Sequence, residues 1–217
     1  MIPIMLIDDH PLAINGIGAW LTGTGRFTIS GTAENITEAV SLVENMDVLP
    51  EIIILDISLG EEDGLDFIPK LQEICKKKNA ALAVHPASVE YDASAVPMPN
   101  ILICSMYEDP FLIQQAFNMG AKAFISKSAK SSEIITAIDA LLEGGTYINP
   151  RYKLENLNQA MYVLSRRENE IVALVKRNFN NRQIAKRLCI SIRTVENHIT
   201  RIYIKTDAKS REELINL

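Results

Sequence analysis

The stretch Glu51-Ile52-Ile53-Ile54-Leu55-Asp56 decides how the chain is read. Four aliphatic residues in a row, bounded by turn signals, fit a strand buried on both faces of a sheet. The run ends in a carboxylate, and in open α/β sheets ligands bind beyond the carboxyl ends of the strands. The residues that follow, Ile57-Ser58-Leu59-Gly60-Glu61-Glu62-Asp63-Gly64, are polar, acidic and turn-rich. Asp56 is therefore expected in a crevice, not in the core. A second apolar run, Ile2-Pro3-Ile4-Met5-Leu6-Ile7, ends in Asp8 and Asp9. If the two runs are neighbouring parallel strands, three carboxylates meet at one rim. Such a set of oxygen ligands suits a divalent cation.

Outward from this stretch, strand signals alternate with helical ones. Strands are expected at 2–7, 27–33, 51–56, 100–105 and 122–126, with helices at about 11–22, 35–47, 64–78, 108–119 and 130–143. Pro11 suits the first turn of a helix. Asn35 reads as an N-cap, and Ser131/Ser132 likewise. Gly144-Gly145 closes the last of these helices. Five βα units predict a five-stranded, doubly wound parallel sheet with helices on both faces. The rhythm breaks at about 78–99, which has no clear period and contains Pro86, Pro97 and Pro99. A connection this long is uncommon in a compact domain, and it reads as a tolerated surface insertion in preference to an interaction loop.

After residue 145 the pattern changes. Residues 146–160 read as a linker, and 161–217 as purely helical. Ser165-Arg166-Arg167-Glu168 is a capping box. A short helix at about 181–188, a turn at Cys189-Ile190, and a longer helix from Ser191 to about Lys205 form a helix-turn-helix pattern. A last helix fits 210–216. Charge divides at the same place. Residues 1–150 hold 20 acidic and 8 basic side chains, and 165–217 hold 6 and 12, within a net charge of −5. An acidic first part and a basic last part point to two domains with different partners, the basic one facing a polyanion.

The chain holds 217 residues and an ordinary globular composition. No run approaches the ~20 apolar residues of a membrane span, and the N-terminus lacks the features of a secretory signal. Cys75, Cys104 and Cys189 are odd in number and far apart. They form neither a disulfide framework nor a metal motif, which points to a reducing cytosol.

Two more residues join the acidic rim if the strands lie side by side. Ser105 ends the fourth strand and Lys127 the fifth. Three carboxylates, a hydroxyl donor and a lysine together can stabilise phosphoryl transfer to a carboxylate. Here the sequence resembles the receiver domain of bacterial response regulators. The matching residues are Asp8-Asp9-His10-Pro11, Leu55-Asp56-Ile57-Ser58-Leu59, Asp63-Gly64, Ser105, Gly120-Ala121-Lys122-Ala123-Phe124 and Lys127. The resemblance covers about 1–145 apart from the insertion. It implies that Asp56 is the phosphoacceptor. Mg²⁺ would be held by Asp9 directly, by Asp8 through water, by Asp56 and by the Ser58 carbonyl. Lys127 would pair with the phosphoryl group, with Ser105 and Phe124 as hydroxyl and aromatic switch positions.

The C-terminal part resembles the LuxR-type DNA-binding domain. The residues are Leu164-Ser165-x-Arg167-Glu168, Asn181-Arg182-Gln183-Ile184-Ala185, Leu188-x-Ile190-Ser191, Thr194-Val195-x-x-His198 and Ser210-Arg211. The two halves together resemble the regulator family that pairs these modules, in the NarL/FixJ manner. Two departures stand out. The usual glycine between the first two helices is replaced around Asn178-Phe179-Asn180, and the common Lys after Thr-Val is Glu196. Asn also adopts the left-handed conformation, so the turn is expected to survive. On the recognition helix, Val195, Ile199 and Ile202 are expected inward. Arg193, Glu196, Asn197, Thr200 and Arg201 are expected outward. With Arg182, Ser191 and Thr194, these outward residues form the expected DNA-binding set. His198 reads as a packing residue, His10 as part of the first helix start, and Cys104 as a core residue.

The implied function is a two-component response regulator. A sensor histidine kinase would phosphorylate Asp56 and so control a homodimer on promoter DNA. One rival is a DNA-binding regulator whose receiver is never phosphorylated. Another is a phosphatase or phosphotransferase with an aspartyl-phosphate intermediate. An enzyme of that kind would usually want a second acid two residues after the nucleophile, where this chain has Ser58. A non-enzymatic role is therefore expected.

Overall fold

The computed structural model describes residues 1–83, 96–108, 110–152 and 164–216. The core of the 78–99 insertion, with His85 and Pro86, lies outside the described residues, as does most of the expected linker. The chain forms two compact units, Met1–Met106 with Ala116–Ile148, and Tyr107–Gln115 with Asn149–Leu217.

The strands are β1 (Ile2–Ile7), β2 (Phe27–Ala33), β3 (Ile52–Leu55), β4 (Ser58–Leu59), β5 (Glu62–Asp63), β6 (Asn100–Ser105), β7 (Ala123–Ser126) and β8 (Tyr147–Ile148). Between them come α1 (Pro11–Gly23), α2 (Ile36–Asn45), α3 (Phe67–Ala83), α4 (Pro110–Met119) and α5 (Ser131–Leu142). The main sheet is parallel, in the order β2-β1-β3-β6-β7-β8. Its order reverses between β1 and β3, which opens a crevice at their carboxyl ends. Register sets the level of that rim: Ile7 lies opposite Leu55, and Leu55 opposite Ile103. The residues just beyond β1 and β3 are therefore side by side.

The period of two along each strand sorts the core into two faces. Ile4, Leu6, Ile52, Ile54, Leu102, Cys104, Ala123 and Ile125 pack with Ile14 and Leu21 of α1 and Ile138 and Leu141 of α5. Met5, Ile7, Ile53, Leu55, Ile101, Ile103 and Phe124 alternate with them and are equally buried. A strand buried on both faces has no polar side to show, which is why 52–55 reads as an unbroken aliphatic run.

Three sequence expectations are corrected. The sheet gains a sixth strand: Tyr147 donates its N–H to the Lys122 carbonyl at 2.9 Å, and β8 pairs with Ala123 and Phe124. Two residues carry no periodicity, so β8 was read as linker. Helix α3 runs on to Ala83, past the expected end at 78, through a stretch rich in alanine and lysine, both good helix formers. Helix α5 is preceded by Lys130, which makes no side-chain cap, and Ser131 and Ser132 lie in its first turn. Elsewhere the end signals hold. Pro11 opens α1, Asn35 caps α2 by accepting from the Glu38 N–H, and Gly144 (φ +80°) follows α5.

The C-terminal helices are α6 (Arg166–Lys176), α7 (Asn181–Leu188), α8 (Ile192–Thr206) and α9 (Arg211–Asn216). Ile171, Val175, Ile184, Val195, Ile202 and Leu214 form their core. Ser165 and Glu168 make the expected capping box, and Asn180 with Gln183 makes a second. Asn178 adopts the left-handed conformation (φ 59°) where a glycine is usual, as does Cys189 (φ 53°) in the turn between α7 and α8.

Candidate functional site

The strand register brings Asp8, Asp9 and Asp56 to one rim. Asp8 and Asp56 are buried, while Asp9 is partly exposed. Lys127, just past β7, reaches both buried acids. Its Nζ lies 2.6 Å from Asp8 Oδ2 and 2.8 Å from Asp56 Oδ2. Its backbone N–H donates to the Ser105 carbonyl at 2.8 Å, which ties the ends of β6 and β7 together. Ser105 is itself fully buried. The five residues expected at the rim are thus gathered at neighbouring strand ends.

Their oxygens are engaged unequally. Asp8 Oδ1 accepts from the His10 N–H at 3.0 Å, and its Oδ2 faces Lys127. Asp9 Oδ2 accepts from the Gly60 N–H at 2.9 Å. Asp56 Oδ1 is a buried atom without a hydrogen-bond partner, while the buried Asp9 Oδ1 faces His10 Nδ1 at 2.6 Å. A buried carboxylate oxygen left open is costly unless a ligand meets it. One ligand atom from each of Asp8, Asp9, His10 and Asp56 can be chosen so that all lie within 4.8 Å of one another. That spread fits the first shell of one divalent ion, so the donor set suits a hard cation.

Burial raises the Asp56 carboxyl above its ordinary value, and the nearby Asp8 adds to this, against the lowering effect of the Lys127 hydrogen bond and charge. Burial alone would lower Lys127, but its bonds to Asp56 and Asp8 outweigh that and raise it, so it stays cationic. Burial pushes the Cys104 thiol up to about 12, which leaves it an inert core residue.

The loop after β3 is held by close packing. Gly64 donates its N–H to the Ile57 carbonyl at 2.6 Å, and a Cβ added at Gly64 would sit 2.0 Å from the Asp56 carbonyl oxygen. Only a residue without a side chain fits there. The short hairpin of β4 and β5 pairs Ser58 with Asp63, which sets the course of the backbone directly after Asp56. Glu62 reaches the start of α2, accepting from the Ile36 N–H at 2.9 Å. Phe124 is fully buried. Met106 and Tyr107, after Ser105, are exposed.

In the helical unit, α8 follows the expected division. Val195, Ile199 and Ile202 are buried, Arg193, Glu196 and Thr200 are exposed, and Asn197 and Arg201 are partly exposed. Arg182 is exposed on α7. Ser191 and Thr194 serve the helix start: Ser191 Oγ accepts from the Thr194 N–H at 3.0 Å and lies 2.9 Å from Thr194 Oγ1. His198 is buried, as expected of a packing residue. Several links were not read from the sequence. Lys205 Nζ meets Glu168 Oε2 at 2.8 Å with both side chains almost wholly buried, joining α8 to the start of α6. Arg167 donates to the Leu188 carbonyl at 2.9 Å, and Arg211 donates to the Phe179 carbonyl and to Asn181 Oδ1. The arginines of both sequence motifs therefore brace the turns on either side of α7.

Two family models match the chain. Residues 4–96 match the model of the response regulator receiver domain, and 162–217 match that of bacterial regulatory proteins of the luxR family. The oxygen regulatory protein NreC of Staphylococcus carnosus is 29% identical over 227 aligned residues, covering 98% of this chain and 94% of that protein. Its counterpart in Staphylococcus haemolyticus is 28% identical with the same coverage. Among solved structures, the two-component response regulator RcsB in complex with DNA has a TM-score of 0.58 at 20% identity, covering 99% of this chain and 96% of that one. A LuxR-family two-component response regulator from Aurantimonas sp. SI85-9A1 has a TM-score of 0.53 at 25% identity, covering 69% and 91%.

Proposed function

Because the chain belongs to the response regulators that join a receiver domain to a LuxR-type DNA-binding domain, we propose that phosphorylation of Asp56 by a sensor histidine kinase controls its binding to promoter DNA. The observation that carries the reading is the unequal engagement of the Asp56 carboxylate. Oδ2 is held by Lys127 at 2.8 Å, while the buried Oδ1 has no hydrogen-bond partner. One oxygen orients the group, and the other is open to an incoming ligand.

The Asp56 carboxylate attacks the phosphorus of a phosphohistidine in line with the departing imidazole nitrogen. A P–O bond forms as the P–N bond breaks, and the nitrogen keeps the electron pair. Lys127 stays cationic and offsets the added charge. Mg²⁺, when bound, supplies further neutralisation of the phosphoryl oxygens. Asp9, Asp56 and the Ser58 carbonyl are the residues that would hold it. Asp8 would act through water, since its oxygens already face the His10 N–H and Lys127. Ser105 donates its hydroxyl to the product, and the exposed Met106-Tyr107 segment beyond it carries the change outward. Phe124 is the aromatic switch position of this reading.

The receiver spans about 1–145 with its edge strand β8 just beyond, followed by a linker to about 160 and the DNA-binding domain at 161–217. Arg193, Glu196, Asn197, Thr200 and Arg201 face the DNA, supported by Arg182, Ser191 and Thr194. A homodimer reads two half-sites about one helical turn apart. The protein acts as a cytoplasmic switch, not as an enzyme with turnover. Among the described residues no helix is long and apolar enough to cross a membrane.

Selection of genomic DNA by the full chain, with and without a small phosphodonor and Mg²⁺, tests this reading. Phosphodonor-dependent enrichment by the native chain and none by Asp56→Asn is expected. Equal enrichment by both proteins in both conditions would mean that the receiver works without phosphorylation.

A further inference from the structure

His10 stands between Asp9 and Pro11 and was read as part of the helix start. It occupies the N-cap position of α1, yet its side chain makes no cap hydrogen bond. The imidazole turns to the acids instead. Its Nδ1 lies 2.6 Å from Asp9 Oδ1 and 3.4 Å from Asp8 Oδ1. Of the cluster's oxygens, Asp56 Oδ1 is a buried atom without a hydrogen-bond partner, on a residue only 4% exposed. His10 Nδ1 is thus paired with Asp9 Oδ1 in a cluster that also holds the open Asp56 Oδ1, and one ligand atom from each residue can be chosen so that all lie within 4.8 Å of one another. Opposite ligands of a divalent ion stand about 4.2 Å apart at metal–ligand distances of 2.0–2.1 Å, so one ion can meet them with small adjustments.

We propose that His10 is a nitrogen ligand of this site, and that the site favours imidazole-accepting first-row ions such as Mn²⁺, Ni²⁺ and Zn²⁺ over Mg²⁺. The inference rests on the reading that Asp9 and Asp56 hold a divalent cation. An all-oxygen set suits Mg²⁺, which binds nitrogen reluctantly. Replacing one oxygen or water by imidazole moves preference along the series that rises from Mn²⁺ through Co²⁺ to Ni²⁺ and Cu²⁺. His10 is 70% exposed at its side chain. The ion would therefore stand at the mouth of the crevice, with the imidazole on its outer side and Asp56 on its inner side.

The test uses the metal-stripped full chain and Mn²⁺ alone, followed by pulsed electron paramagnetic resonance. Nitrogen-14 coupling of a directly bound imidazole is expected in the native chain and absent in His10→Ala, with Mn²⁺ still bound in both. Calorimetric titrations should show the ratio of Ni²⁺ to Mg²⁺ affinity falling about tenfold or more in His10→Ala, since even outer-shell partners of metal ligands are worth about 10–100-fold. His10→Asn retains a residue that can cap α1, and it should behave as His10→Ala does. Bound Mn²⁺ without nitrogen coupling in the native chain, or an unchanged ion ratio in both variants, overturns the role of His10 alone. Mn²⁺ binding that is absent, or indifferent to Asp9→Asn, overturns the carboxylate site itself.

Discussion

Lys127 Nζ lies 2.8 Å from Asp56 Oδ2, although β6 separates the strands that carry the two residues. The lysine crosses the end of an intervening strand to reach an acid 71 positions earlier in the chain. It also meets Asp8 at 2.6 Å, so one cation holds two buried carboxylates together. The rim is thereby organised for reaction at some cost to stability.

That cost has a sign. Burial, with Asp8 beside it, raises the Asp56 carboxyl despite Lys127. An acid raised in the folded state supports folding fully only below its unfolded value, near 3.8. This support is lost as pH rises through the higher folded value. At pH 7 the ionised Asp56 therefore opposes folding, and Asp56→Asn should raise Tm there. The gain should shrink as pH falls towards 4. Thermal unfolding monitored by circular dichroism across pH 4–8 checks this, and a lower Tm for the variant at pH 7 would contradict it.

Gly64 is required for space. A methyl group there meets the Asp56 carbonyl oxygen at 2.0 Å, and that atom is backbone and cannot turn aside. Gly64→Ala should cost about 1–3 kcal/mol, as overpacking does, and should slow phosphorylation by displacing the loop after β3. Gly60→Ala is the comparison. Its φ is +60° but open space surrounds it, so the cost should be the ~1–2 kcal/mol of a left-handed alanine. Urea unfolding of both variants separates the two effects. A Gly64→Ala variant with native stability and labelling rate would refute the crowding.

In the helical unit, Lys205 and Glu168 form a buried pair at 2.8 Å. Removing one partner strands the other charge, at a cost of about 3–5 kcal/mol. Lys205→Ala should therefore lower the unfolding transition of the helical unit and leave that of the receiver in place. The double variant Lys205→Met with Glu168→Leu should recover much of the loss. Loss confined to the single variant would be seen by calorimetry, and a single variant of unchanged stability would show the pair to be energetically idle.

The aliphatic run at 52–55, the strand-end acids and the helix caps at Asn35 and Ser165 were legible because each is a local signal. The gathering of Asp8, Asp9, Asp56, Ser105 and Lys127 was legible because parallel register turns strand ends into neighbours. What escaped the sequence is non-local or too short. Strand β8 has two residues and exists only because Lys122 offers a carbonyl to Tyr147. Lys205, in the last turn of a mostly polar helix, reads as a solvated charge until Glu168 is brought to it. His10 read as part of a helix start because Pro11 follows it. Its turn towards Asp9 is a side-chain choice that spacing does not encode. The buried state of Phe124 is likewise a property of packing, since a strand residue facing the core and one at its edge share the same periodicity.

The central claim is that Asp56 alone takes the phosphoryl group. The direct measurement is intact-mass spectrometry of the full chain after incubation with acetyl phosphate and Mg²⁺, followed by hydride trapping of the acyl phosphate and peptide sequencing. The account predicts one phosphoryl group, located at Asp56, and none in Asp56→Asn. Stoichiometric labelling that persists in Asp56→Asn, or a trapped product at another residue in the native chain, would contradict it.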